Sequence, residues 1–206
     1  VLAIEFDRAL VPALRSVAAA YPAIDVVAAD ATKVDWPAIL GDRSWIACGN
    51  LPYNVGTAIL LSLLERAPMV ERLVVMVQRE VADRLVATPG AREGYGPTSL
   101  RVTYHGDASI LRPVPPSVFW PRPSVASAIV RIERRARPAV DVDETALWRV
   151  IDEAFGQRRK AMRGALRRLG AEDPNAILGE AGVEPSARPE ELDLAAFARI
   201  AEALPA

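Results

Sequence analysis

The tetrapeptide Asn50-Leu51-Pro52-Tyr53 carries the most specific chemistry in the chain. An exocyclic amine on a nucleobase is a poor nucleophile, because its lone pair is delocalised into the ring. A side-chain amide oxygen and a backbone carbonyl can together accept both of its N–H bonds. That draws the nitrogen toward tetrahedral geometry and aims its lone pair at an electrophile. Pro52 stiffens such a loop and has no backbone N–H. Tyr53 offers a face on which a base can stack, provided the base is unpaired or flipped out. Asn and Pro also favour turns, so the tetrapeptide by itself reads equally as one.

Two acids accompany it. Glu5, in AIEFD, can hydrogen-bond both hydroxyls of a ribose; Asp30, in AADAT, can accept from an adenine amino group. Each alone also reads as a turn former or a helix cap. The elements that must position them change that balance. Val1–Phe6, Ile24–Ala28 and Trp45–Cys48 read as strands, the last ending at Gly49. All three features then fall at carboxyl ends of successive strands, the edge where open α/β sheets bind ligands.

The elements continue in alternation. Arg8–Ala20 is predicted as a helix with Leu10, Leu14 and Val17 on one stripe, Gly56–Glu65 as an apolar helix, and Glu80–Ala87 as a third. RLVVMVQ (72–78) reads as a buried strand, and 88–97 as a loop by its Gly and Pro. Ser109–Val114 and Val125–Glu133 read as strands joined by a Pro-rich connection; His105 falls in a helix before them and reads as structural. The pattern predicts a mostly parallel α/β sheet. After a charged connector at 134–143 the signal is helical only, over 144–169, 174–181 and 189–204. Two domains are therefore expected: 1–135, an α/β unit, and 136–206, a small helical unit.

Composition bounds the function. The chain has 206 residues, 51% hydrophobic and 25% charged, which excludes a wholly disordered chain. No apolar run approaches the ~18 residues of a membrane span, and no signal peptide is visible. One cysteine, Cys48, excludes a disulfide framework and a cysteine zinc cage, and reads as a small buried residue. A reducing cytoplasm fits. Trp36, Trp45 and Trp148 read as packing residues; Trp120 is less readily placed. The net charge of −1 argues against an all-over nucleic-acid binder. It hides six basic residues, Arg158, Arg159, Lys160, Arg163, Arg167 and Arg168, uninterrupted by an acid. On a continuous helix Arg159, Arg163 and Arg167 form one stripe, opposite an apolar face of Ile151, Phe155, Met162, Leu166 and Leu169. Such a block is either a solvated helix face or a footprint for a polyanion.

Several ordered motifs now carry a resemblance. NLPYN resembles motif IV of the amino-directed S-adenosylmethionine (SAM) methyltransferases. GNLPYN (49–54), QREVADRLVATPG (78–90), Tyr95-Gly96, the spaced Phe119-x-Pro121-x-Pro123-x-Val125-x-Ser127 and AFGQRRKAMRGAL (154–166) resemble the KsgA/RsmA family of rRNA adenine dimethyltransferases. The resemblance runs almost the full length, in the family's order. It implies a Rossmann-like SAM-dependent methyltransferase sheet with a helical C-terminal domain that binds RNA. It implies that Glu5 binds the SAM ribose, that Asp30 contacts its adenine with Ala31 alongside, and that Asn50 touches both SAM and the target amine. The Leu51 carbonyl would take the second amine hydrogen. Tyr53 and Phe119 would stack the flipped adenine, and Pro52 belongs to the same catalytic motif. The basic block, Arg158, Arg159, Lys160, Arg163 and Arg167, would hold rRNA phosphates, and Arg134, Arg135 and Arg137 would extend it.

The implied reaction is dimethylation of the N6 amines of two adjacent adenines near the 3′ end of small-subunit (16S) rRNA during ribosome assembly. SAM would leave as S-adenosylhomocysteine, without a metal. The implied partner is an immature small subunit, met by a monomer in the cytoplasm. The family's first strand and Gly-rich G-x-G loop have no counterpart upstream of Glu5; Gly94-Tyr95-Gly96 lies in a late loop. The chain is therefore expected to lack its N-terminal SAM motif, leaving Val1–Phe6 beside an unpaired edge. Two alternatives stay open. One is a non-catalytic small-subunit assembly factor; the other is an Erm-type large-subunit rRNA adenine methyltransferase, which shares the amine motif.

Overall fold

The Val-rich run forms the centre of the main sheet. In the computed structural model, which describes residues 1–91 and 93–205, it lengthens into β4 (Val70–Gln78), with Val70, Leu73, Val75 and Val77 buried. β3 (Trp45–Asn50) pairs with it in parallel. β6 (Ser127–Arg134) pairs antiparallel on its other side, and β5 (Gly106–Val114) pairs antiparallel with β6. The order is β3-β4-β6-β5. β1 (Leu2–Glu5) and β2 (Asp25–Ala28) form a separate parallel pair. The fold is α/β, but the mostly parallel expectation needs correcting: within the four-strand sheet only β3–β4 is parallel. β5 and β6 are linked by the Pro-rich connection instead of a crossover helix, and such a link makes antiparallel neighbours.

The helices follow their caps. α1 (Val11–Ala18) starts at a proline-containing first turn and is shorter than predicted. It buries Val11 and Ala18, while Leu10 and Val17 of the expected stripe are exposed. α2 (Trp36–Leu40) went unpredicted although its signals are present: Asp35 caps it, accepting from the Ala38 N–H, and Pro37 sits in the first turn. α3 (Gly56–Arg66) and α4 (Arg79–Leu85) match the expected helices within two residues, and α5 (Pro97–His105) is the helix expected to hold His105. The expected loop at 88–97 is described except at position 92.

The helix expected over 144–169 is two helices, α6 (Glu144–Gly156) and α7 (Met162–Arg168), separated by a turn. Gly156 ends the first, and Met162 is drawn inward, donating its N–H to the Ala187 carbonyl at 2.9 Å. The single arginine stripe is therefore broken: Arg159 and Lys160 sit on the turn, Arg163 and Arg167 on α7. α8 (Pro174–Glu180) and α9 (Leu194–Ala203) complete the helical region, each capped by an aspartate, Asp173 and Asp193.

Two apolar clusters result. One gathers α2, α3 and the central strands around Leu60, Leu64, Leu73, Val130 and Ile132. The other gathers α6 to α9 around Leu147, Ile151, Met162, Leu178 and Phe197. Each side chain of that size contributes about 1.5–3 kcal/mol on burial. α5 belongs to both, with Val102 in the first and Leu100 and Tyr104 in the second. The Tyr95 hydroxyl donates to the Leu192 carbonyl at 2.7 Å, tying the preceding loop to the helical region; burial pushes its pKa well above the ordinary tyrosine value.

Arg134, expected to extend an RNA surface, serves the fold instead. Its half-buried guanidinium donates to the carbonyls of Leu63, Leu64, Ala67 and Val70 at 2.7–3.1 Å. The Leu64 carbonyl, in the last turn of α3, has no helical partner because residue 68 is a proline. The Leu63 and Ala67 carbonyls already accept the Ala67 and Val70 N–H groups and gain a second bond from Arg134. The neighbouring strand pair is equally close: a Cβ on Gly106 would lie 2.5 Å from the Glu133 carbonyl oxygen, so only glycine fits there. Arg135 pairs with Asp107.

Candidate functional site

Glu5 is the last residue of β1, Asp30 lies two residues beyond β2, and Asn50 is the last residue of β3, which runs two residues further than the predicted Cys48. All three line one cavity of about 580 Å³, together with Ala31 and Leu51. Its other walls are apolar and include Trp36, Ile59 and Leu63. β1 and β3 each keep one unpaired edge among the described residues, and residues of both strands line this cavity. A polar rim of acid and amide above an apolar floor suits a nucleoside carrying a short apolar chain.

The two acids are poised differently. Glu5 accepts the Asp7 N–H at 2.7 Å. Asp30 builds a tight turn, accepting from both the N–H and the hydroxyl of Thr32, with Lys33 at 3.5 Å from its other oxygen. The Thr32 hydroxyl and N–H hold its carboxyl below the usual carboxylate range, with Lys33 adding to the effect. The turn-forming and ligand readings of Asp30 are thus compatible: one oxygen serves the loop, the other faces a cation and solvent. α3 anchors this loop, through Trp36 Nε1 donating to Ser62 at 2.8 Å and Arg66 donating to the Thr32 carbonyl at 2.9 Å.

The tetrapeptide is held by its backbone. The Leu51 N–H donates to the Met76 carbonyl at 3.0 Å, and the Pro52 carbonyl accepts the Gly56 N–H at 2.7 Å. A Cβ on Gly56 would lie 3.1 Å from Leu51 Cβ, so the glycine lets the loop close on the start of α3. Two acceptors stay free among the described residues: the Asn50 side-chain amide and the Leu51 carbonyl. They are the pair an exocyclic amine requires. The Tyr53 hydroxyl shares a 2.8 Å hydrogen bond with Ser127, a fully buried side chain at the start of β6. Ser127 belongs to the spaced proline pattern, yet the sequence offers no sign of this partnership, because 74 residues separate the two.

A second cavity, about 310 Å³, is lined by Asn50, Leu51, Pro52 and Tyr53 on one side and by Phe119 and Trp120 on the other. Asn50, Leu51 and Pro52 thus border both cavities. A larger cleft of about 1300 Å³ runs beyond, lined by Gln78, Arg79, Tyr95, Phe155, Arg158 and Arg159 among others. Arg158 lies 3.5 Å from Glu190, and Arg168 pairs with Glu153. Arg159, Lys160, Arg163 and Arg167 are exposed with no carboxylate partner among the described residues. Cys48 is exposed, not buried as expected, because its alternate position on β3 faces away from the β4 core. Among the described residues no three metal-binding side chains cluster, and no helix is long and apolar enough to cross a membrane.

Comparison with known proteins converges on one family. The family profile described as "Ribosomal RNA adenine dimethylase" matches residues 1–205. A ribosomal RNA small subunit methyltransferase A of Azorhizobium caulinodans is 42% identical over 207 residues, 98% of this chain and 70% of that protein. The protein of that name from Cutibacterium acnes is 42% identical over 216 residues, 99% of this chain and 72% of the relative. Among solved structures, a dimethyladenosine transferase from Plasmodium falciparum superposes with TM-score 0.80 at 19% identity, covering 97% of this chain and 79% of that one. The 23S rRNA methyltransferase ErmE superposes with TM-score 0.70 at 25% identity, covering 98% and 81%.

Proposed function

The chain belongs to the ribosomal RNA adenine dimethylase family, and on that premise we propose how its residues divide the work. The activity is SAM-dependent dimethylation of adenine N6 amines in rRNA. Relatives named for the small subunit are 42% identical, against 25% for ErmE, which favours the small-subunit substrate over the Erm-type alternative. Two adjacent adenines near the 3′ end, on an immature subunit met by a monomer in the cytoplasm, complete the reading.

One observation carries the assignment of roles. Asn50, Leu51 and Pro52 border both the cavity rimmed by Glu5 and Asp30 and the cavity walled by Tyr53 and Phe119. Methyl transfer needs a donor and an acceptor to meet at one point, and this is where two cavities meet. The Glu5 carboxylate takes the ribose hydroxyls, and Asp30, beside Ala31, takes the adenine amino group of the cofactor. When bound, SAM supplies a methyl carbon made electrophilic by the attached sulfonium. Tyr53 and Phe119 hold the extruded adenine between rings. The Asn50 amide oxygen and the Leu51 carbonyl accept the two N6 hydrogens and turn the lone pair toward the donor cavity. A C–N bond forms as the C–S bond breaks, and one amine proton leaves per methyl added. Arg159, Lys160, Arg163 and Arg167, with Arg158 at the cleft, supply phosphate contacts that set affinity and register.

The test is transfer of labelled methyl from SAM to small subunits lacking the modification. The expected result is Asn50-dependent label in small-subunit rRNA only. Label confined to large subunits, or transfer unchanged by Asn50→Ala, overturns the reading. Normal subunit binding without any transfer moves the assembly-factor reading ahead.

A further inference from the structure

Four tryptophans occur in the chain, and three are committed. Trp36 is buried and donates to Ser62. Trp45 donates to the Leu40 carbonyl and carries the Arg43 guanidinium over its ring. Trp148 donates to Glu144, is covered by Arg101 and packs edge-on against Tyr104. Trp120 is 98% exposed, and among the described residues nothing stacks on its ring or accepts its indole N–H. It nonetheless lines the same cavity as Tyr53 and Phe119.

Its placement is set by the backbone. Phe119 is extended (φ −108°, ψ 149°), so consecutive side chains point to opposite sides. Phe119 turns inward and is partly buried; Trp120 turns outward at the mouth. Pro115, Pro116, Pro121 and Pro123 stiffen the segment on either side. Two residues on, Arg122 is exposed and makes no ion pair with the described residues. An open indole face with an unpaired guanidinium two residues along the chain matches one repeating unit of single-stranded nucleic acid, a base with its phosphate. An apolar protein surface would leave that charge facing it without a partner.

We infer that Trp120 and Arg122 form a second base subsite, which stacks the unpaired nucleotide next to the target adenine on the same RNA strand. The inference rests on the reading of Tyr53 and Phe119 as the target-base pocket and extends it outward by one nucleotide. Stacking is indifferent to base identity, so this subsite contributes affinity and keeps the strand unstacked, while the inner pocket selects adenine. It also gives the displaced neighbour somewhere to go when the target base is extruded.

The test uses single-stranded RNA pentanucleotides with one central adenine and 2-aminopurine on its 5′ or its 3′ side. With the unaltered chain, one of the two labels is quenched on binding. Trp120→Ala abolishes that quench and weakens binding roughly 5- to 150-fold, the weight of one base–aromatic stack. Trp120→Phe, which keeps a ring face, restores most of both. A quench and affinity unchanged by Trp120→Ala overturn the inference. So does a chain that self-associates through Trp120 and binds RNA equally well without it. Asn50-dependent methyl transfer is measured on the same preparations. A Trp120-dependent quench supports the subsite whether or not transfer occurs, so the subsite and the catalytic reading fail separately.

Discussion

The two sides of the cavity lined by Glu5, Asp30 and Asn50 are built to different standards. On one side, β3-β4-β6-β5 is a continuous ladder with Leu73, Val130 and Ile132 fully buried and the end of α3 clamped by Arg134. On the other, β1 and β2 are four residues each, their side chains are at best partly buried, and they pair only with one another among the described residues. Phe6, Leu10, Val17 and Tyr21 around them are exposed. The lesson is a division of labour. On the proposed assignment, the amide and carbonyl that aim a lone pair hang from the rigid side. The carboxylates proposed to hold the cofactor hang from the lightly held side.

Catalysis separates the two sides most sharply. Asn50→Ala removes an acceptor whose value is greatest in the transition state, and kcat is expected to fall about 10²–10³-fold. Glu5→Gln is expected to raise KM for SAM by roughly tenfold with kcat changed much less, the loss of one charged hydrogen bond. Steady-state methyl transfer at varied SAM distinguishes them, and equal effects on kcat would dissolve the comparison. Stability comes next. Arg134→Ala leaves the Leu64 carbonyl without a donor and removes the second bond at Leu63 and Ala67, and urea unfolding is expected to show a loss of about 1–3 kcal/mol. A loss within experimental error would mean the rigid side does not depend on that clamp.

A smaller effect links the sheet to the ring. Tyr53→Phe and Ser127→Ala each remove the same 2.8 Å hydrogen bond. Each should raise KM for RNA a few-fold, and the double variant should be no worse than either. Additive effects would show that Ser127 does not act through Tyr53. The smallest effect concerns pH. Burial lowers the pKa of His105 below 6.5, with Arg134 and Arg101 adding and Glu144 opposing, and its Nε2 is buried without a partner among the described residues. The folded chain thus resists protonating this ring. Its contribution to stability is full above about pH 6.5 and is lost as pH falls through the folded value. Unfolding midpoints should decline between pH 7.5 and 5.5, and His105→Gln should flatten that decline.

Much of this architecture is legible in the residues. Strand segments reveal themselves by runs of Val and Ile, and β1, β2, β3, β4 and β6 begin and end within two residues of expectation. The extension of β3 to Asn50 was hidden because Gly49 looks like a terminator, while pairing with Val75 and Met76 carries the strand through it. The split between α6 and α7 was hidden for the opposite reason. Helical periodicity persists across 157–161, but the packing of Met162 against Leu166 and the other buried residues of the helical cluster demands a change of direction.

Residue types and order alone determined the chemistry: an amide, a carbonyl and an aromatic in four consecutive positions, with acids at the ends of earlier strands. Such groups have intrinsic hydrogen-bonding capacities that no fold alters. Tertiary structure alone decided which groups remain free to use them. Arg134 is consumed by backbone carbonyls, Arg168 by Glu153 and Tyr53 by Ser127, whereas among the described residues the Leu51 carbonyl, the Asn50 amide and the Trp120 ring are left open. Availability depends on contacts between segments dozens of residues apart, and a local pattern of residues does not record such contacts.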